Sequence, residues 1–143
     1  MPGGLGSIPV YKIRPDAELP RRTSDGAIGY DAFASRVLDR QTKDVLSELP
    51  VTIGPSEAVL IGIGVIIAIP LDPPFEIQVR PRSGLANKFR IELSNSPGTV
   101  DPDFRGEVGC LLVNRGDKPY TVNPNDRIAQ LIFSRVELPE IRT

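Results

Sequence analysis

The stretch Ala58–Arg80 reads AVLIGIGVIIAIPLDPPFEIQVR, and its reading decides the fold class. Ala58 to Ile69 is rich in Val and Ile, which fit a pleated surface, and Pro55 and Pro70 bound it. It predicts one buried strand or a bent pair, with Gly62 and Gly64 marking a bulge or bend. Leu71-Asp72-Pro73-Pro74 is a turn. Phe75 to Arg80 then alternates strictly, so Phe75, Ile77 and Val79 share one face.

Working outward, more strand signals follow. Arg90–Leu93, Gly106–Asn114, Tyr120–Val122 and Ile128–Phe133 read as short strands. Arg115-Gly116-Asp117 and Asn123-Pro124-Asn125-Asp126 are turns between them. Toward the N-terminus, Ile8–Arg14 and Gly29–Ser35 are further short strands, separated by a polar stretch with a Thr23-Ser24-Asp25-Gly26 turn. Arg36–Leu49 alone combines good helix formers with no Gly or Pro, and it is expected as a short helix or a long loop. Strands at roughly ten-residue spacing predict an all-β sandwich, jelly roll or barrel.

The chain has 143 residues, which predicts a single domain over 1–143 with no linker or repeat. A chain this long buries roughly two-thirds of its unfolded surface, so no covalent or metal staple is needed. Gly (13) and Pro (15) are spread along it, as many turns require. The net charge of -1 argues against a protein that coats nucleic acid. With no His and only Cys110, there is no Ser-His-Asp or Cys-His nucleophile system and no ordinary zinc site. Any metal is expected to be a hard cation held by oxygen. Met1–Arg14 lacks a signal-peptide core, and the longest apolar run, Ala58–Pro70, is too short to span a bilayer. A soluble, cytoplasmic protein without membrane contact is expected.

Four constellations carry chemistry. In Arg80-Pro81-Arg82-Ser83-Gly84-Leu85-Ala86-Asn87-Lys88, a Ser-Gly pair opens an expected helical turn among cations. Free N–H groups, a hydroxyl and close approach at Gly84 suit a polyphosphate, although a capped, solvated turn explains the same residues. Asn95–Glu107 (NSPGTVDPDFRGE) sets Asp101 and Asp103 beside Phe104 and Arg105. It is either an ordinary Asp/Pro/Gly turn or a hairpin in which Asp101 is a general base for water. In Gly29-Tyr30-Asp31 the carboxylate is a buried acceptor or stands near a metal's water shell. Gln130 interrupts the apolar RIAQLIF, and alternation alone turns it to solvent.

Each signal is weak alone, but their order is specific. GYDAFAS (29–35), PRSGLANK (81–88), GTVDPDFRGE (98–107) and RIAQLIF (127–133) resemble the four internal motifs of the trimeric dUTPase family. The resemblance covers about Ile8 to Phe133. It implies a distorted jelly-roll β-barrel with at most one or two short helices, and a homotrimer with active sites between subunits. It also implies cleavage of dUTP to dUMP and pyrophosphate by water attack on the α-phosphorus, with Mg²⁺ on the triphosphate. Asp101 matches the residue that activates the water and meets the 3′-hydroxyl. Ser83 matches the serine that contacts the phosphates, and Arg82 and Gly84 match the adjacent phosphate-binding positions. Asn95 matches a uracil contact. Gly98, Thr99 and Val100 match the hairpin whose backbone reads uracil and excludes a 5-methyl group. Gln130 matches a phosphate-contacting glutamine, and Asp31 an aspartate near the metal's water shell.

Three features depart from the family pattern. Phe104 stands where a Tyr is usual; its ring still stacks on deoxyribose but donates no hydrogen bond. Arg36–Pro50 is longer than the usual connection. The family's Gly-rich arm, whose Arg and Phe close over the site, has no counterpart up to Arg142-Thr143. A pocket without that arm is expected to bind dUTP and hydrolyse it slowly, because closure supplies positioning and charge. Two other classes compete. The related dCTP deaminases carry a different motif around the serine and a catalytic Glu in the hairpin, whereas this chain has SGLA and Asp101. A non-catalytic nucleotide- or partner-binding protein on the same fold would need none of Asp101, Ser83 and Gln130.

Overall fold

The structure is a computed structural model that describes residues 5–143; the first four residues of the expected domain lie outside them. The described residues form thirteen strands and one helix. In chain order these are β1 (Val10–Lys12), β2 (Tyr30–Phe33), β3 (Arg36–Leu38), β4 (Val45–Glu48), β5 (Val51–Ile53), β6 (Ala58–Gly62), β7 (Val65–Ile67), β8 (Phe75–Arg80), α1 (Ser83–Phe89), β9 (Ile91–Leu93), β10 (Gly98–Val100), β11 (Gly109–Asn114), β12 (Tyr120–Val122) and β13 (Arg127–Arg135).

Two larger antiparallel sheets face each other. One has the order β10-β8-β13-β2 and the other β4-β3-β6-β11-β9; β1-β7 and β12-β5 form two-stranded ribbons. Ile77, Val79, Ala129 and Leu131 of the first sheet meet Val37, Ile61, Cys110 and Leu112 of the second in one buried cluster. Burying each large aliphatic chain contributes about 1.5–3 kcal/mol, so this cluster is the main source of stability. The architecture is all-β, as the strand spacing predicts, and jelly-roll-like, as the motif resemblance implies.

The deciding stretch folds as a bent pair. β6 and β7 join different sheets, and the break falls at Ile63-Gly64. Gly64 has φ +73°, and a Cβ there would lie 2.8 Å from both Ala17 Cβ and Ser35 Oγ. Only glycine fits that left-handed, crowded position. In β8 the alternation holds: Ile77 and Val79 are buried, while Glu76, Gln78 and Arg80 are half-buried on the other face.

The expected helix or loop over Arg36–Leu49 is instead the β3–β4 hairpin. Helix-forming residues at its tip are overridden by pairing: β3 docks on β6 (Val37 opposite Ile61), which buries Val37 and Leu38, and β4 completes the sheet edge. The Asp39 carboxylate closes the tip by accepting from the Gln41 and Thr42 N–H groups at 2.8 Å. Those bonds, Thr42 first, hold the Asp39 pKa below its ordinary value. Two other boundaries move. The expected helical turn at Ser83 runs for seven residues and stops where Arg90 turns left-handed (φ 57°). β11 begins at Gly109 and not Gly106, because Glu107 and Val108 bond to the Gly64 bend and to Val65 and not to a ladder.

Candidate active site

The turn before β10, β10 itself and the loop that follows it present one group of expected site residues. Asn95, Thr99, Val100, Asp101 and Phe104 line a cavity of about 1150 Å³, with the tip of the β3–β4 hairpin (Asp39, Arg40, Gln41, Lys43) across from them. β10 pairs with the alternating β8, Thr99 opposite Gln78, which fixes the stem. Gly98 is buried, and a Cβ there would press to 3.3 Å on Asn95 Nδ2 and Val79 Cβ. The turn closes as the Phe104 N–H donates to the Asp101 carbonyl at 3.1 Å. The Phe104 ring is 42% exposed, and Gly106 leaves it room, since a Cβ there would come within 2.9 Å of the ring.

A second group lies elsewhere on the surface. Ser83 and Gln130 line an open depression of about 530 Å³ with Gln78, Arg80 and Ser96. Gln130 is half-buried on the central strand β13, and its Nε2 donates to the Pro81 carbonyl at 3.0 Å. It ties β13 to the entry of α1. Gly29 makes space for it, because a Cβ at 29 would collide with Gln130 Oε1. Gly84 has open space around it.

Asp31 joins this group by charge. Its two carboxylate oxygens each lie 3.6 Å from a guanidinium, one of Arg82 and one of Arg127. Its side chain is 13% exposed, so water screens these pairs less than a surface pair. Arg82 also donates to the Arg127 carbonyl at 3.3 Å. The sequence reading gave no role to Arg127 or Gln78, and it counted Arg80 only among the cations around Ser83. The strict period of FEIQVR already sets Gln78 and Arg80 on one face, but nothing local pairs Arg127 with a carboxylate ninety-six positions upstream (127 − 31).

Cys110 takes no part in this chemistry. It is fully buried, and desolvation pushes its thiol pKa up to about 12. Among the described residues no group of three or more His, Cys, Asp or Glu is placed to hold a metal ion.

With this geometry in hand, the likeness to known proteins is clear. A sequence model of the dUTPase family matches residues 16–143. The chain belongs to the dUTPase family. The deoxyuridine 5'-triphosphate nucleotidohydrolase of Anaeromyxobacter sp. (strain Fw109-5) is 44% identical over 127 residues, 89% of this chain and 76% of the relative. That of Caldanaerobacter subterraneus subsp. tengcongensis is 43% identical over 126 residues, 88% of this chain and 76% of the relative. Among solved structures, a D95N dUTPase from phage phi11 of S. aureus superposes with a TM-score of 0.80 at 20% identity, covering 96% of each chain. That phage protein is described as coordinating a structural Mg(II) ion. A dUTPase of Staphylococcus bacteriophage 80alpha solved with dUpNHpp gives 0.80 at 19% identity, again over 96% of each chain. These dUTPase structures share the fold described above.

Proposed function

We propose that this dUTPase-family chain, as a single domain over 1–143, hydrolyses dUTP to dUMP and pyrophosphate in the cytoplasm. Membership of the family supports the reaction. The observation that carries the site is the cavity shared by Asn95, Thr99, Val100, Asp101 and Phe104. It sets a carboxylate beside backbone able to read a flat base and a ring able to pack on a sugar. No helix among the described residues is long and apolar enough to cross a membrane.

The roles follow from what each group can do. Uracil is held by Asn95 and the Gly98–Val100 backbone, where polar edges left unpaired would disfavour cytosine and close walls a 5-methyl group. Phe104 packs on deoxyribose. Asp101 accepts a proton from the attacking water, which forms a bond to the α-phosphorus as the bond to the bridging oxygen breaks and pyrophosphate leaves. Ser83, Gln130, Arg82 and the open approach at Gly84 hold the phosphates, with cationic charge matched to the leaving group. Asp31 holds Arg82 and Arg127 in place. Its two oxygens already face guanidinia, so any reach to a metal's water shell is indirect.

The donor set fits Mg²⁺ as an ion carried by the substrate. The described residues build no cage, and Mg²⁺ accepts phosphate oxygens and water as most of its shell. When bound there, it neutralises charge on the triphosphate. Asp101 and Ser83 line different cavities of one chain, which supports sites completed between the copies of a homotrimer.

Pyrophosphate release from dUTP with Mg²⁺, run beside dCTP, dTTP and UTP, tests the reading. Release from dUTP alone is expected. Asp101→Asn keeps the shape but not the base, and it should lower kcat on the order of 100-fold to 10,000-fold. Equal release from dCTP, or an unchanged Asp101→Asn variant, would refute these roles.

A further inference from the structure

We infer that Glu107 is a positioning residue for dUTP hydrolysis: it clamps the downstream stem of the Asp101 loop to the Gly62–Gly64 bend and to the β3–β4 hairpin. The inference rests on the proposed role of Asp101 and goes beyond it, since the motif reading gives Glu107 no part. The clamp is explicit. Glu107 Oε1 accepts from Arg36 Nε at 3.0 Å and from Arg36 Nη2 at 2.7 Å, while Oε2 accepts from the Gly64 N–H at 2.9 Å. The Glu107 side chain is 9% exposed and that of Arg36 19%. Two guanidinium N–H groups on Oε1 and a backbone N–H on Oε2 leave this carboxylate with one orientation.

The surroundings are shaped to admit it. A Cβ at Gly62 would collide with Glu107 Oε2, so the glycine opposite Arg36 in β6 leaves room for the carboxylate. Next along the chain, Val108 exchanges backbone bonds with Val65 and Ile63, both at 3.0 Å. At the other side of the loop, Arg105 donates to the Ile69 carbonyl at 3.2 Å and to the Pro102 carbonyl. Arg105 and Glu107 therefore fix the segment that holds Asp101 and Phe104 to one stretch of chain, the bent β6–β7 pair and Ile69 just beyond it.

This gives the long Arg36–Pro50 segment a purpose. Arg36 opens it. Its far strand is held at Glu48, whose two oxygens each accept from Arg14 Nη2 at 2.7 Å. The hairpin so anchored forms the wall of the cavity opposite Asp101 and supplies the cation that orients Glu107. A loop held this way keeps the water-activating carboxylate and the base-reading backbone in register. Displacement of about 1 Å in such a group costs on the order of 100-fold in rate.

The test compares Glu107→Ala, Arg36→Ala and the double variant, using the full chain with dUTP and Mg²⁺. Each single variant should lower kcat/KM for dUTP on the order of tenfold to 100-fold and narrow the preference for dUTP over dTTP. The double variant should be no worse than either single one, because both remove the same clamp. Glu107→Gln keeps one acceptor for Arg36 and should recover part of both readouts. Glu92→Ala breaks an exposed ion pair with Arg115 on β9 and should move neither. Mere loss of stability would lower the active fraction but leave the dUTP-to-dTTP ratio unchanged. A folded Glu107→Ala protein with wild-type kcat/KM and wild-type selectivity overturns the inference. If Glu107→Ala does not fold, Arg36→Ala decides on the same two readouts. A wild-type chain inert toward dUTP would sink the functional reading as well, whereas an active wild type with unmoved variants sinks the clamp alone.

Discussion

Asn114 ends β11 with its side chain wholly buried, the one buried polar or charged residue among those described. Its Nδ2 donates to the Ile53 carbonyl at 2.9 Å and the Lys118 carbonyl at 2.8 Å, and its Oδ1 accepts from the Gly116 N–H at 2.9 Å. It thus stitches β5 and the turn after β11 together. Asn114→Ala would leave these backbone groups without partners, so it should destabilise the fold by about 3 kcal/mol, read as a lower urea midpoint with unchanged slope. Gln130 shows the limit of residue-level reading. Alternation turns it to solvent, yet it is half-buried and bonded to Pro81, forty-nine positions away. The motif order offered Gln130 as a candidate site residue. No local pattern could show that its partner is a backbone carbonyl at the entry of α1. Asp31 is similar: the sequence offers it as an acceptor, and only the fold brings Arg82 and Arg127 to its two oxygens.

At the scale of elements, legibility followed burial. β8 and β12 were readable because one face is apolar and the other polar, so period and burial agree, whereas β13 was readable as an apolar run whose neighbouring residues are buried in pairs. The β3–β4 hairpin was not, because β4 is exposed at all four positions and its residues carry no β alternation. Its strand character comes from partners: β6 on one side of β3 and β4 on the other. The Gly62/Gly64 signal was readable as a bend or bulge, and the structure makes Gly64 the corner at which the chain changes sheets. Gly64→Ala should therefore cost more than the ~1–2 kcal/mol of left-handed backbone alone, because Ala17 and Ser35 also crowd the new methyl. Thermal unfolding should show a Tm drop of several degrees, about 2–4 °C per kcal/mol for a chain of this size. Gly84→Ala, at open space on α1, should be neutral or slightly stabilising in the same measurement.

The whole molecule poses a question that neither residues nor elements answer. One chain carries the Asp101 loop on one cavity and Ser83 with Gln130 on another. The sequence motifs name both groups without saying that they line separate cavities, since motif order carries no information about which copy completes which site. If water activation and phosphate binding act on one substrate, the proposed homotrimer would let two copies supply them. Asp101→Asn and Ser83→Ala chains assayed separately should then each be nearly inactive. Unfolded together and refolded as a one-to-one mixture, they should regain activity. An intact site forms only where an Asp101 loop from a Ser83→Ala chain meets the α1 helix of an Asp101→Asn chain, which is about a quarter of sites under random assembly in a closed ring. Mixing the two folded proteins without refolding should recover less if the assembly exchanges slowly, which separates shared sites from simple contamination. Activity of the co-refolded mixture no higher than that of the parents would place both groups in a site made within one chain, reached from both cavities.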